Sequence, residues 1–366
     1  MNCFIRYSVD VFNSRYIAGW FLNFFQKKKT IRLSFVSGDK KVGELIADRY
    51  RKDVELQKVH PTGFCGFDFN FPSNIDVTAN KNLDIYIDEQ KKPFLKLTTN
   101  HLDPALTQPI PRILFMHIPK TAGTSFNAFM RMHVPVDAAA HHIENYTSGK
   151  YASLAKDKMY LAGHLPVEIL KKNFNISDFD CYSIVRSPYK HLHSHLNWLR
   201  GIAALKGSAF FQRHHPAVQR LAIKIAQLDF TDFRQVKDFV FGLQGCELDF
   251  FDNIQTRYFL DYRPEKVSLN DFYKTLPNID LFKHIGLTER YEQFKSFVSS
   301  SYELPEVSLP IMTNKTMHPP LYDCDCLDMK EILYPLVHAD MRLYDAIKLR
   351  FGGRGVETVP GMVASC

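Results

Sequence analysis

Apolar and polar residues alternate at period two through the first hundred positions: Ile31, Leu33 and Phe35, then Phe67, Phe69 and Phe71, then Leu83, Ile85 and Ile87. Such spacing places one row of side chains on a single face and predicts antiparallel strands. Ser37-Gly38-Asp39-Lys40 supplies turn chemistry after the first set, and a polar turn over residues 89–93 leads into Phe94, Leu95 and Leu97 as a further hairpin. A small all-β sandwich over residues 1–100 is the expectation. Pro104, Pro109 and Pro111 then interrupt any period, which predicts a linker at 101–111. From Arg112 onward the pattern changes. Short apolar runs at 113–117, 159–162 and 181–185 alternate with helical periods at 236–243, 291–298 and 329–349. That alternation predicts an α/β domain over 112–351, with a P-loop-like parallel sheet flanked by helices. The Gly- and small-residue-rich stretch 352–366 reads as a flexible tail.

Composition narrows the class without naming a function. Hydrophobic residues make up 45% of the 366-residue chain and charged ones 23%, the balance of a globular protein with a large core. The net charge of +7 favours anionic partners. Its lysines and arginines are dispersed, with a run of three only at residues 27–29, so nucleic acid is not expected. Seven cysteines without repeated spacing argue against a disulfide framework, and the absence of a long apolar stretch argues against a transmembrane segment. A cytoplasmic location is the expectation. No metal is expected either. Cys324 and Cys326 are too close in sequence for the usual zinc pair, and His191, His193 and His195 spread around a helix. The adjacent pairs His141–His142 and His214–His215 read as loop or surface residues.

Chemistry concentrates between His117 and Ser125, where the chain reads HIPKTAGTS between a strand pattern and a helix pattern. A helix beginning on small hydroxylated residues offers unpaired N–H groups and the positive end of its dipole to an anion. Gly123 is read as allowing close backbone approach to a ligand, Thr121, Ala122, Thr124 and Ser125 as loop donors, and Lys120 as a compact charge at the mouth. The loop is not the triphosphatase pattern GxxxxGK[ST], and the later strand ends at Arg186 where such an enzyme would place a metal-binding Asp. After Arg186, Ser187 and Pro188 read as an N-cap and N1 pair. Helical spacing brings Ser194 to the Arg186 end of the same face.

These two segments resemble the sulfotransferases of the heparan sulfate 2-O-sulfotransferase and chondroitin sulfotransferase type. There a PKTAGTS-like loop holds the 5′-phosphosulfate, and an RxPxxxxxS segment holds the 3′-phosphate, of 3′-phosphoadenosine-5′-phosphosulfate (PAPS). The likeness runs through Asn253-Ile254-Gln255-Thr256-Arg257, Gly286-Leu287-Thr288-Glu289-Arg290 and Asn314-Lys315-Thr316, and covers nearly all of 112–351. It implies that residues 120–125 bind the 5′ end and that Arg186 and Ser194 bind the 3′-phosphate. His164, in Gly163-His164-Leu165-Pro166, is the implied base, and Lys120 the cation at the leaving oxygen. Asn314, Lys315 and Thr316 are candidates to close over the adenosine phosphates, and Arg257 to touch acceptor or nucleotide, each against a structural alternative. Ser187 and His191 depart from the family's usual Asp and Arg.

The N-terminal module, through Ser14-Arg15-Tyr16-Ile17-Ala18-Gly19-Trp20, residues 47–53 and Gly63-Phe64-Cys65-Gly66-Phe67, resembles β-domains beside transferases of bacterial surface-glycan pathways. A glycan-binding and a purely structural role stand equal for it. The combined expectation is a PAPS-dependent sulfotransferase, releasing 3′-phosphoadenosine-5′-phosphate (PAP), acting on a hydroxyl of a bacterial carbohydrate and needing no metal. The rival readings are a magnesium-dependent nucleotide phosphotransferase or kinase, and a glycan- or nucleotide-binding protein without turnover.

Overall fold

A computed structural model describes residues 5–12, 15–26, 29–51, 54–55, 59–72, 75, 77, 82–98, 110–134, 138–212, 214–304 and 320–352. The expected linker and tail, apart from positions 110, 111 and 352, lie outside them. The N-terminal part forms two antiparallel sheets. One has the order β1 (Ile5–Phe12), β2 (Tyr16–Asn23), β6 (Phe64–Asn70), β5 (Arg49–Tyr50), and the other β4 (Lys40–Ala47), β3 (Ile31–Ser37), β7 (Asn82–Ile87), β8 (Leu95–Thr98). The expected hairpin forms between β3 and β4, with Ser37 opposite Lys40 and Gly38 at φ 61°, a left-handed position that glycine occupies without a Cβ clash. Inward residues of both sheets, among them Ile17, Phe21, Phe67, Leu33, Phe35 and Ile85, share one core.

The C-terminal part is built on a five-stranded sheet in the order β10 (Ala139–His141), β11 (Tyr160–Gly163), β9 (Ile113–Met116), β12 (Asp180–Val185), β13 (His284–Leu287). Every pairing in it is parallel. Strands β9, β11 and β13 are buried along their whole length, which is why β9 and β11 read as continuous apolar runs rather than alternations. One apolar cluster fills each face: Leu114, Leu161, Ile285 and Leu343 on one side, Phe115, Tyr160, Ile184 and Phe294 on the other. The helical period at 329–349 is not one helix. Leu327–Leu333 and His338–Phe351 are separate, divided by a 3₁₀ turn at Tyr334–Leu336 where Pro335 removes an N–H donor.

The two parts are joined through packed side chains. Tyr16 of β2 sits in the cluster with Ile110, Phe126 and Phe129, and Asn70 donates its amide to the Arg131 carbonyl at 2.7 Å. Asp68 of β6 accepts from Arg131 at 3.1 Å and also pairs with Arg49. No helix among the described residues is long and apolar enough to cross a membrane.

Candidate functional site

The loop after β9 is shaped by two left-handed residues, Lys120 at φ 68° and Ala122 at φ 69°, and the helix Gly123–His133 begins directly after them. Alternating handedness of this kind turns successive N–H groups toward one side, a concave anion-binding form. Ser125 N–H is already taken by the Ala122 carbonyl at 2.9 Å. Thr121 is fully buried and its hydroxyl donates to the Ile118 carbonyl at 2.8 Å, so its side chain fastens the loop instead of facing a ligand as expected. Gly123 lines the cavity, and packing gives a further reason for a glycine there. A Cβ there would lie 2.0 Å from Cδ2 of His117, so the glycine makes room for that imidazole.

Arg186 follows β12 and reaches back to the same loop, its Nη1 donating to the Lys120 carbonyl at 3.2 Å. Its backbone is clamped on both sides by one side chain. Gln255 accepts from Arg186 N at 2.7 Å and donates to Arg186 O at 2.8 Å. Gln255 and Thr256 are in turn seated by the buried carboxylate of Asp340, which accepts both backbone N–H groups and the Thr256 hydroxyl. Lys120 and Arg186 thus sit together, half buried, and neither is in an ion pair among the described residues. Burial and the neighbouring guanidinium both lower the Lys120 pKa. Glu289 opposes that burial at Arg186 through its charge but makes no ion pair with it, so two adjacent, partly desolvated cations are held at a cost that a bound anion would reduce. Ser194, 9% exposed, lines the same cavity as Arg186, as the helical spacing led us to expect.

Ser187 begins the helix Pro188–Ala203 without a side-chain cap. Ser187 and Pro188 thus hold the expected N-cap and N1 positions, and Glu289 accepts the Ser187 backbone N–H at 3.0 Å. His191 is buried and donates Nε2–H to the Pro119 carbonyl at 2.8 Å. Burial pushes its pKa down to about 4, so it supports the anion loop as a neutral group and supplies no cation.

His164 stands immediately after β11. Its Nδ1–H donates to the His117 carbonyl at 2.6 Å, which fixes the tautomer and leaves Nε2 with its lone pair available. Burial lowers its pKa against the opposing pull of that hydrogen bond and of Glu144, so the ring is a neutral base at pH 7. Glu144 anchors it by accepting the His164 backbone N–H at 2.9 Å, and hydrogen bonds from His164 and His142 outweigh burial to keep this carboxylate's pKa low. His142, 3.0 Å from Glu144, faces the same space. It is an exposed residue in the turn after β10, in keeping with the loop or surface reading, and it nevertheless lines the cavity.

His142, Glu144 and His164 each place one ligand atom within 4.8 Å of the others, the one such trio among the described residues. Two imidazoles and a carboxylate suit zinc or manganese better than magnesium. The histidines considered for metal earlier do not converge. His193 accepts from Leu321 N–H, while His195 packs against Trp198 and Phe251.

Arg257 is placed elsewhere. Its guanidinium, 9% exposed, is consumed by Asp252 at 2.6 Å, Asp249 at 3.2 Å and the carbonyls of Pro264 and Glu265, so the expected ligand contact is replaced by a structural one. Asn314, Lys315 and Thr316 lie outside the described residues.

These groups converge on a cavity of about 830 Å³ at the carboxyl edge of the parallel sheet. The end of every strand contributes: His142 after β10, His164 after β11, Lys120 after β9, Arg186 after β12 and Thr288 after β13. Ligands in open parallel sheets bind at this edge, where the direction of strand order reverses. The far wall comes from the N-terminal sheet, through Gly19, Arg49, Tyr50, Arg51, Gly66 and Asp68. Sequence reasoning kept that module apart from the site because the contact joins positions remote in the chain. No family model matches this chain, and no curated protein matches it.

Proposed function

We propose that this protein is a sulfotransferase that moves the sulfuryl group of PAPS to a hydroxyl of a carbohydrate. The observation that carries the reading is the unpaired couple Lys120 and Arg186, with Ser194, beside a neutral histidine whose tautomer is set for proton abstraction. PAPS supplies an activated sulfuryl group whose transfer requires no divalent ion. The side chains divide the remaining work. Arg186 and Ser194 hold the 3′-phosphate, while the loop N–H groups, Thr124 and Ser125 hold the 5′ end. His164 Nε2 takes the proton from the attacking hydroxyl as that oxygen bonds to sulfur. Lys120 neutralises the charge that grows on the bridging oxygen as its bond to sulfur breaks, a contact that strengthens in the transition state.

Calorimetry with PAP and with magnesium-ATP tests the donor assignment. PAP binding without magnesium is expected; magnesium-ATP binding with indifference to PAP would replace this reading by a phosphotransferase. A transfer assay with labelled PAPS against a glycan panel, in wild type and His164→Ala, tests catalysis. Sulfation by wild type alone, unaffected by a chelator and with PAP binding kept in both, separates an enzyme from a binding protein.

A further inference from the structure

We propose that the N-terminal sheet is the acceptor-binding wall of the cavity, and that the edge around β5 and β6 grips an oligosaccharide. The direction of transfer in this argument rests on the donor reading above; the wall itself does not. Lys120, Arg186, Ser194 and His164 are given to donor and base in that reading, and the lining that remains for an acceptor includes the N-terminal residues Asp10, Arg49, Tyr50, Arg51 and Asp68.

The wall's chemistry is that of a sugar site. Arg51 is paired with Asp10 at 2.5 Å, both mostly shielded from solvent, and Asp68 is shared by Arg49 and Arg131. Interlocked guanidinium and carboxylate groups present donors and acceptors side by side, which matches hydroxyls that must do both at once. Tyr50 adds a half-exposed ring, packed 5.3 Å from Phe64, on which the apolar face of a sugar can rest. A polyphosphate would call for unpaired cations here, and an acyl chain for an apolar surface.

The arrangement is also built rather than incidental. A Cβ on Gly66 would stand 2.6 Å from Cγ of Arg51 and 2.9 Å from the Arg49 carbonyl, so glycine at this position lets Arg51 lie across the strand toward Asp10. Shielded ion pairs of this type add little net stability compared with apolar packing, so stability alone does not account for them. The Asp68–Arg131 pair ties the two parts together, whereas the Arg51–Asp10 pair lies wholly within the N-terminal sheet and still lines the cavity.

The test uses the full chain with hexasaccharides of heparosan, chondroitin and maltose as probes. Arg49→Ala and Tyr50→Ala change exposed side chains, and Phe25→Ala, exposed and outside the cavity lining, is the control. At least one probe is expected to bind wild type and the control. Each wall variant should weaken that binding about tenfold, and raise the acceptor KM in step, with PAP affinity unchanged. Glycan affinity indifferent to both wall variants overturns the proposal, as does failure of all three probes to bind wild type. If PAP does not bind but glycan binding falls in the wall variants, the donor reading fails and the wall stands. If PAP binds and the wall variants behave as wild type, the reverse holds.

Discussion

Replacing Gly123 by alanine tests how the site is held together. The added methyl would lie 2.0 Å from Cδ2 and 2.3 Å from Nε2 of His117, well inside contact distance, so the imidazole must move. His117 is 5% exposed, stacked 5.7 Å from Phe115 and 4.3 Å from His164, and cannot yield without disturbing both. Overpacking a close-packed site costs about 1–3 kcal/mol. For a chain of 366 residues that corresponds to a fall in Tm of roughly 1–4 °C. The His117 carbonyl holds His164 at 2.6 Å, so the base shifts too, and a misplacement near 1 Å lowers turnover by about a hundredfold. Thermal unfolding and single-turnover transfer measure the two effects. The decisive variant is Gly123→Ala with His117→Ala, in which the clash has lost one partner. Its loss of stability should fall short of the sum of the two single losses by more than about 1 kcal/mol. Additive losses, or a Gly123→Ala protein as stable as wild type, would refute the reasoning.

Lys120→Ala should raise the transfer barrier by on the order of 3 kcal/mol with PAP still bound, measured as kcat at saturating donor. Arg186→Ala should weaken PAP far more than an analogue lacking the 3′-phosphate, read by calorimetry; equal losses would remove the assigned contact. Burial holds His191 at about 4 and His195 at about 3, below the ordinary value near 6.5, so the unfolded chain takes up protons first. Stability should be full above about pH 6.5 and fall on acidification by up to about 1.4 kcal/mol per pH unit for each ring, visible in urea midpoints between pH 7 and 4.5. Arg257→Ala leaves the fully buried Asp252 without its ion partner, and should cost about 3–5 kcal/mol of stability with little change in PAP affinity per folded molecule.

Much of this was visible in the chain before any fold was known. Continuous apolar runs marked β9, β11 and β12, and turn residues marked the β3–β4 hairpin, because buried parallel strands and tight turns both leave local signatures. Motif and spacing single out the loop at 117–125, Arg186 and Ser194, and the family resemblance singles out His164; residues of all of these line one cavity. What was hidden depends on contacts between distant positions. β10 has three residues, too few to show a period, and His284 and Gly286 interrupt the apolar pattern of β13. The break at Pro335 was masked by helical spacing on both sides. Thr121 reads by residue type as a ligand contact, whereas its hydroxyl is spent on the Ile118 carbonyl, and the packing of His117 against Gly123 has no local signature. Arg257 looked like a free cation because Asp249 and Asp252 precede it by several residues and fold back onto it.

The clamp on Arg186 ties the chemistry of the loop to the far end of the chain. Asp340 belongs to the last described helix, yet through Gln255 it decides where a guanidinium more than 150 positions earlier is anchored. Such a strut spends its rigidity before any ligand arrives, so little ordering entropy is left to lose when one does. It also means that damage to the carboxyl-terminal helix, however remote from the cavity, would be felt first as a loosened grip on phosphate.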